Sequence, residues 1–147
     1  MEKTSNYANS VTSESEREQV KALVREAIRY IYDNGKEAVF EEFSNRDGKF
    51  YQKPIYIFAI DYRGKMLAHI DPTVLGKNLL QDTSDKHLTN AVRVLINTAN
   101  EGGGWVSYYW NNPETHVLSP KISYVVPINR EYFIGAGYFT EVNVPAS

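Results

Sequence analysis

The sequence predicts an α+β domain in which a five-stranded antiparallel sheet carries a long N-terminal helix on one face and a helical and loop segment on the other. Three observations carry this expectation. An apolar stripe at helical spacing lies near the start of the chain. A β-branched and aromatic run at 55–62 follows, apolar on both parities as in a strand covered on both faces. Behind a further amphipathic helix come three more strand-like runs. A chain of 147 residues is expected to fold around one core.

The first helix opens at Ser13 with Glu16, which have the spacing of a capping box. Val20, Leu23, Val24, Ala27, Ile28 and Ile31 form its apolar stripe, and Asn34-Gly35 stops it near Asp33. Such a helix is a rod of roughly 30 Å. A short helix is expected at 36–43. In the 55–62 strand, Ile55, Ile57 and Ala59 share one face and Tyr56, Phe58 and Ile60 the other. Arg63-Gly64 turns it into a partner at 65–70.

Residues 71–82 read as irregular, punctuated by Pro72 and Gly76. A third helix at 84–100 carries Leu88, Ala91, Val92, Leu95, Ile96 and Ala99, and ends at Gly102-Gly103-Gly104. The last strands are expected at 105–110, 121–128 and 132–140, with 111–120 as a long exposed loop. Residues 1–12 read as a flexible leader, 13–141 as the domain and 142–147 as a tail. This element order is PAS-like.

Composition narrows function. There is no cysteine, which removes disulfides, thiol nucleophiles, Cys-based zinc sites and covalent c-type haem. A net charge of −2 supplies no basic field, so nucleic acid is not an expected partner. No run approaches the roughly 18 apolar residues of a membrane span, and Met1 is followed by no secretory signal pattern. Tyrosine is abundant, 11 beside 2 Trp and 6 Phe. Its flat apolar body and polar tip suit a lined pocket as well as an ordinary β-rich core. No nucleophile elbow or Ser/His/Asp spacing is present, and Asp61, Asp71, Asp82 and Asp85 stand at turns. No enzyme is expected.

Several motifs resemble the single Cache sensor domains of bacterial and archaeal receptors. They are Tyr56-Ile57-Phe58 ending in Asp61, then Gly64, Leu67-Ala68-His69 and Leu75-Gly76-Lys77-Asn78-Leu79. The run from Gly102 through Trp105, Tyr108 and Trp110 to Pro113 is similar to the family's aromatic strand and turn. Pro120-Lys121-Ile122-Ser123-Tyr124-Val125 and Ile134-Gly135-Ala136-Gly137-Tyr138 complete the likeness, which covers residues 19–140 in order. The resemblance implies an extracytoplasmic sensor of a membrane-anchored chemoreceptor or histidine kinase, binding a small organic acid such as acetate, propionate, pyruvate or lactate. It also implies that the first helix continues one membrane span, that 142–147 leads to another, trimmed span, and that no cofactor is needed. An amino acid, amine or urea sensor is the alternative ligand class, with Asp61 or Asp71 as acceptor. A structural dimerisation module without ligand is the alternative outside it. The charged face of the first helix fits a parallel homodimer or simply a solvated surface.

The resemblance also implies where a pocket lies, between the sheet and the segment after its second strand. Lys121, after Pro120 and amid aromatic residues, is the first candidate to neutralise a carboxylate; otherwise it is a solvated strand-end cation. Tyr56 and Phe58 go together by parity, either to the pocket or to the opposite core. Tyr108 and Trp110 share a face and are candidate pocket wall. Tyr124 lies on the opposite parity from Lys121 and reaches the same ligand only across a bulge. His69 is a candidate ligand contact or a structural histidine. His87 and His116 read as surface, and no metal site is expected. Gly135 and Gly137 leave a bare lane on one strand face, where helix packing is favoured over a ligand.

Overall fold

The structure is a computed structural model that describes residues 2–140, with side chains from Glu14 onward; the expected 142–147 tail lies outside the described residues. Helix α1 spans Glu2–Asp33, 32 residues or about 48 Å at 1.5 Å each. It begins well ahead of the expected start, so Ser13 stands within the helix and not at its first turn. Helix α2 spans Lys36–Phe43. Strands β1 (Tyr51–Gln52), β2 (Ile55–Asp61) and β3 (Met66–Ala68) follow, then helix α3 (Lys86–Asn100) and strands β4 (Gly104–Asn111), β5 (Leu118–Pro127) and β6 (Tyr132–Phe139).

All strand pairs are antiparallel, and the order is β1-β2-β6-β5-β4, with β3 also on β2. β1 pairs with the first residues of β2, and β3 pairs with Ala59 and Ile60 further along. The sixth strand therefore adds two residues to an edge and leaves five positions across the sheet. β1 went unexpected because two residues show no periodicity.

Each face of the sheet has its own core. Val20, Leu23, Val24 and Ala27 of α1 join Val39 and Phe43 of α2 over Ile55, Ile57 and Ala59. On the other face Leu88, Ala91, Val92, Leu95 and Ile96 of α3 cover Tyr56, Phe58 and Ile60. The central strand is thus apolar on both parities because both faces are roofed. Asp85 caps α3 by accepting from the His87 and Leu88 amides, so the helix starts two residues after the expected Ser84.

The segment between β3 and α3 is irregular but tied down. Its amide at Gly76 donates to Met66 O, and Lys77 O accepts from Met66 N. Asn78 donates to Arg63 O and accepts from the Leu80 and Gln81 amides.

The connection expected at 111–120 is shorter, because β4 and β5 pair from Asn111↔Leu118 onward. Pro120 therefore lies inside a strand. Its carbonyl accepts from Thr140 N, and in an antiparallel ladder a residue's N–H and C=O point to the same neighbour. The missing N–H thus faces the end of β6, where no ladder bond is lost.

Arg17 donates to the Tyr138 hydroxyl at 3.1 Å, while Lys36 pairs with Glu131. The start of the described α1 side chains and the exit of β6 therefore share one end of the domain.

Candidate functional site

β5 places Lys121, Ser123 and Val125 on the α3 side of the sheet, and Lys121 is only 1% exposed. Its amine lies 4.0 Å from the centre of the Tyr56 ring, with Phe58 at 4.9, Phe139 at 5.3 and Tyr108 at 6.0 Å. Among the described residues no carboxylate forms a salt bridge with it. Burial holds the amine well below the ordinary lysine range. Ring faces attract an ammonium by about 2 kcal/mol when desolvated. The effective cost of burying an ion is several kcal/mol, so desolvation wins.

His69 sits where β3 meets the roof segment, its ring between Tyr56 at 4.8 Å and Trp110 at 5.6 Å. Its Nδ1 accepts from the Asp71 amide at 2.9 Å, which puts the ring proton on Nε2. That Nε2 is buried without a partner, as is the Tyr56 hydroxyl. Burial first, and the Lys121 charge second, hold His69 well below its usual range, so the ring is neutral. Burial also pushes the Tyr56 phenol far up. Trp110 acts on it in the opposite and smaller sense, yet no group reaches Tyr56 Oη with hydrogen-bond geometry. Tyr108 and Ser123 share a 2.7 Å hydrogen bond between their hydroxyls, and burial raises the Tyr108 phenol against that smaller pull.

These groups surround a hollow under α3 lined by Phe58, Ile60, Met66, His69, Leu95, Tyr108, Trp110 and Lys121. As closed, it holds one water-sized body. Every lining residue is buried. Its polar groups comprise an amine, a neutral imidazole N–H, the Tyr108 phenol and the Trp110 indole, with no carboxylate among them. Such a set offers donors and lacks a charged acceptor. At one margin the 112–117 loop is held down by Tyr51, whose hydroxyl donates to Glu114 at 2.9 Å. Burial and that carboxylate raise the Tyr51 phenol to about 12.

Of the seven candidate residues, Phe58, His69, Tyr108, Trp110 and Lys121 line the hollow. Tyr56 stands behind it, against both the amine and the imidazole. Tyr124 does not belong with them. β5 pairs without interruption from Lys121 to Val125, so no bulge restores its parity. Its ring packs on Trp105 at 5.1 Å, on the α1 side. Gly135 and Gly137 do face a close neighbour, but it is not a helix. A methyl at Gly135 would meet the Phe58 ring at 2.5 Å, and one at Gly137 would meet Ser123 and the Ile122 carbonyl. Cross-strand side chains thus fill the bare lane.

Met66 was the lining residue with no warning in the sequence. Ile60 was marked by its parity with Phe58, and Leu95 by the α3 stripe. His87 and His116 are exposed. Among the described residues no cluster of His, Asp or Glu is arranged to hold a metal.

A neutral buried His69 has a measurable consequence. The unfolded chain protonates this ring near pH 6.5, whereas the folded chain refuses the proton until lower pH. Stability therefore falls as pH drops from about 6.5 towards the depressed value, with a slope of up to about 1.4 kcal/mol per pH unit. Urea midpoints measured from pH 7.5 to 5 should decline along this slope, and His69→Gln should flatten it. Equal slopes in both proteins would mean that His69 is charged in the fold.

Residues 47–142 match a family model described as a Cache domain. A sensor histidine kinase, MctS of Rhizobium johnstonii, is 28% identical over 138 residues, which cover 88% of this chain. The chain spans 29% of the length of that kinase. The fold is similar to that of a methyl-accepting chemotaxis protein from Vibrio parahaemolyticus, with TM-score 0.71 and 23% identity over 90% of this chain and 94% of that one. It is also similar to a Cache chemosensory domain described for its recognition of carboxylic acids, with TM-score 0.56 and 18% identity over 96% and 99% of the two chains. Among the described residues no helix is long and apolar enough to cross a membrane.

Proposed function

The chain belongs to the Cache family of sensor domains, and on that premise we propose that it is the extracytoplasmic part of a membrane receptor and binds a small organic acid under α3. One observation carries the ligand class. A buried amine and an unpartnered imidazole N–H converge on a hollow whose lining has no carboxylate to neutralise them. A ligand carboxylate supplies what each of them lacks, since a charged acceptor makes the strongest bonds with such donors. The apolar remainder of the lining, Ile60, Met66 and Leu95, suits a tail of one to three carbons. Acetate, propionate, pyruvate and lactate fit this description. A cationic amine or urea would need an acceptor carboxylate, and the hollow has none.

Such an acid exceeds the closed space, so a lining side chain moves on entry. Met66 is the adaptable member, being unbranched. The motion would reach β5 and β6, whose far end lies beside α1 at Tyr138 and Arg17. This is the physical route by which occupancy becomes a signal in a receptor of the chemoreceptor or histidine kinase type.

A ligand of four to six heavy atoms has a ceiling near −1.5 kcal/mol per atom. Dissociation constants from tens of micromolar to just below one micromolar are therefore the tightest to expect. Thermal shift against acids, amino acids, amines and urea tests the reading. The unfolding midpoint should climb with acid concentration and stay flat with amines. A response to amines alone overturns the ligand class.

The smallness of the closed hollow favours a second reading, a structural module with no ligand. A flat response to the whole panel would select it.

A further inference from the structure

We propose that the site binds its acid together with one proton, carboxylate and ammonium meeting at Lys121, so that the domain reads acidity and acid concentration as one quantity. The inference rests on the acid-binding reading and adds a rule for its regulation. Its basis is geometric: the Lys121 amine is buried under four rings, with no countercharge among the described residues. Every neighbouring element agrees. β2 presents Tyr56 and Phe58, β4 presents Tyr108, and β6 presents Phe139. The stretch after β3 presents His69, and α3 presents Leu95. Asp71 lies close enough to act on the Tyr56 phenol, but its carboxylate is engaged by Thr73.

None of these groups stabilises a cation as a carboxylate would. His69 offers no negative charge to it, its ring being neutral in the fold. The empty site therefore keeps the amine as NH₂, in line with the direction in which burial moves it. When an acid anion enters, the balance reverses, because an adjacent negative charge favours the ammonium. The step is R–COO⁻ plus Lys121–NH₂ plus H⁺ giving R–COO⁻ beside Lys121–NH₃⁺. One N–H bond forms, the proton comes from solvent, and nothing is oxidised. The sum equals uptake of the undissociated acid, although the proton ends on the lysine.

Three groups other than Lys121 are candidates for that proton. The Tyr56 and Tyr108 phenols are already protonated and held so by burial. The His69 imidazole titrates in a lower range, so a pH effect above about 8 lies outside it.

Acetate titrated into the wild-type domain by calorimetry at about pH 8, in Tris and again in phosphate, tests the proposal. The two heats should differ by the buffers' ionisation enthalpies times close to one proton per acetate. Between about pH 8 and 9.5 the association constant should fall towards tenfold per pH unit. Binding with identical heats and a flat pH profile overturns the proton rule alone and leaves the acid site standing. Absence of binding at every pH overturns both. In His69→Gln the uptake should persist; its loss there would assign the proton to the imidazole and overturn the role of Lys121.

Discussion

Replacing Lys121 by methionine should make the domain more stable and deaf to acids at once. Methionine keeps the length of the side chain and removes a buried amine that has no countercharge among the described residues. Burying a polar group without compensation costs about 1–3 kcal/mol, which a packed methionine avoids. For a chain of this size each kcal/mol is worth roughly 4 °C in the unfolding midpoint. The same change removes the group that meets the carboxylate, and leaving a charged ligand group unpaired costs about 2–5 kcal/mol, or thirtyfold to several thousandfold in affinity. The two effects have opposite signs, which is what separates a ligand-binding lysine from a structural one. A structural lysine, held in place by its rings, would lose stability on replacement. Thermal denaturation with and without acetate measures both. A variant that is less stable, or that still responds to acetate, would remove Lys121 from the site.

The glycine lane should divide sharply. Gly137→Ala places a methyl against the Ile122 carbonyl and Ser123 on β5. Backbone in a central strand cannot swing aside, so the strands must part. A loss of about 3 kcal/mol or more is expected, at the upper end of overpacking costs. Gly135→Ala meets only the far edge of the Phe58 ring, and that ring has somewhere to go, into the hollow it lines. This variant should lose about 1 kcal/mol and retain its fold, with the acid response weakened by the displaced ring. Urea midpoints measure the first difference and thermal shift with acetate the second. Equal stability of the two variants would mean that the β5–β6 spacing is looser than it stands here.

The helices and the long strands were legible because each repeats a period often enough to be read. α2 falls at its expected bounds, and α3 differs only at its start, which Asp85 sets at Lys86 and not at Ser84. Three of the misplacements have distinct causes. β1 is two residues long and has no period. The loop before Lys121 was drawn too long because a proline was taken as a boundary, although the far end of β6 leaves its missing N–H without consequence. Helix packing on the glycine lane was favoured because a bare strand face says that something approaches without saying what. Tyr124 is a different matter. Its parity already set it apart from Lys121, and the unbroken β5 ladder keeps it there.

Alternation and helical spacing by themselves determined which side chains travel together: Tyr56 with Phe58 and Ile60, Tyr108 with Trp110, and Lys121 with Ser123. They are set by the pleat and the helical turn, which are local geometry. Which of the two faces holds the hollow was decided only in three dimensions, because both faces of β2 are equally apolar and the choice depends on which helix packs where. Burial of the Lys121 amine is likewise a tertiary fact. A lysine after a proline reads the same in water as under four aromatic rings, and only the arrival of β2, β4 and β6 around β5 takes the water away.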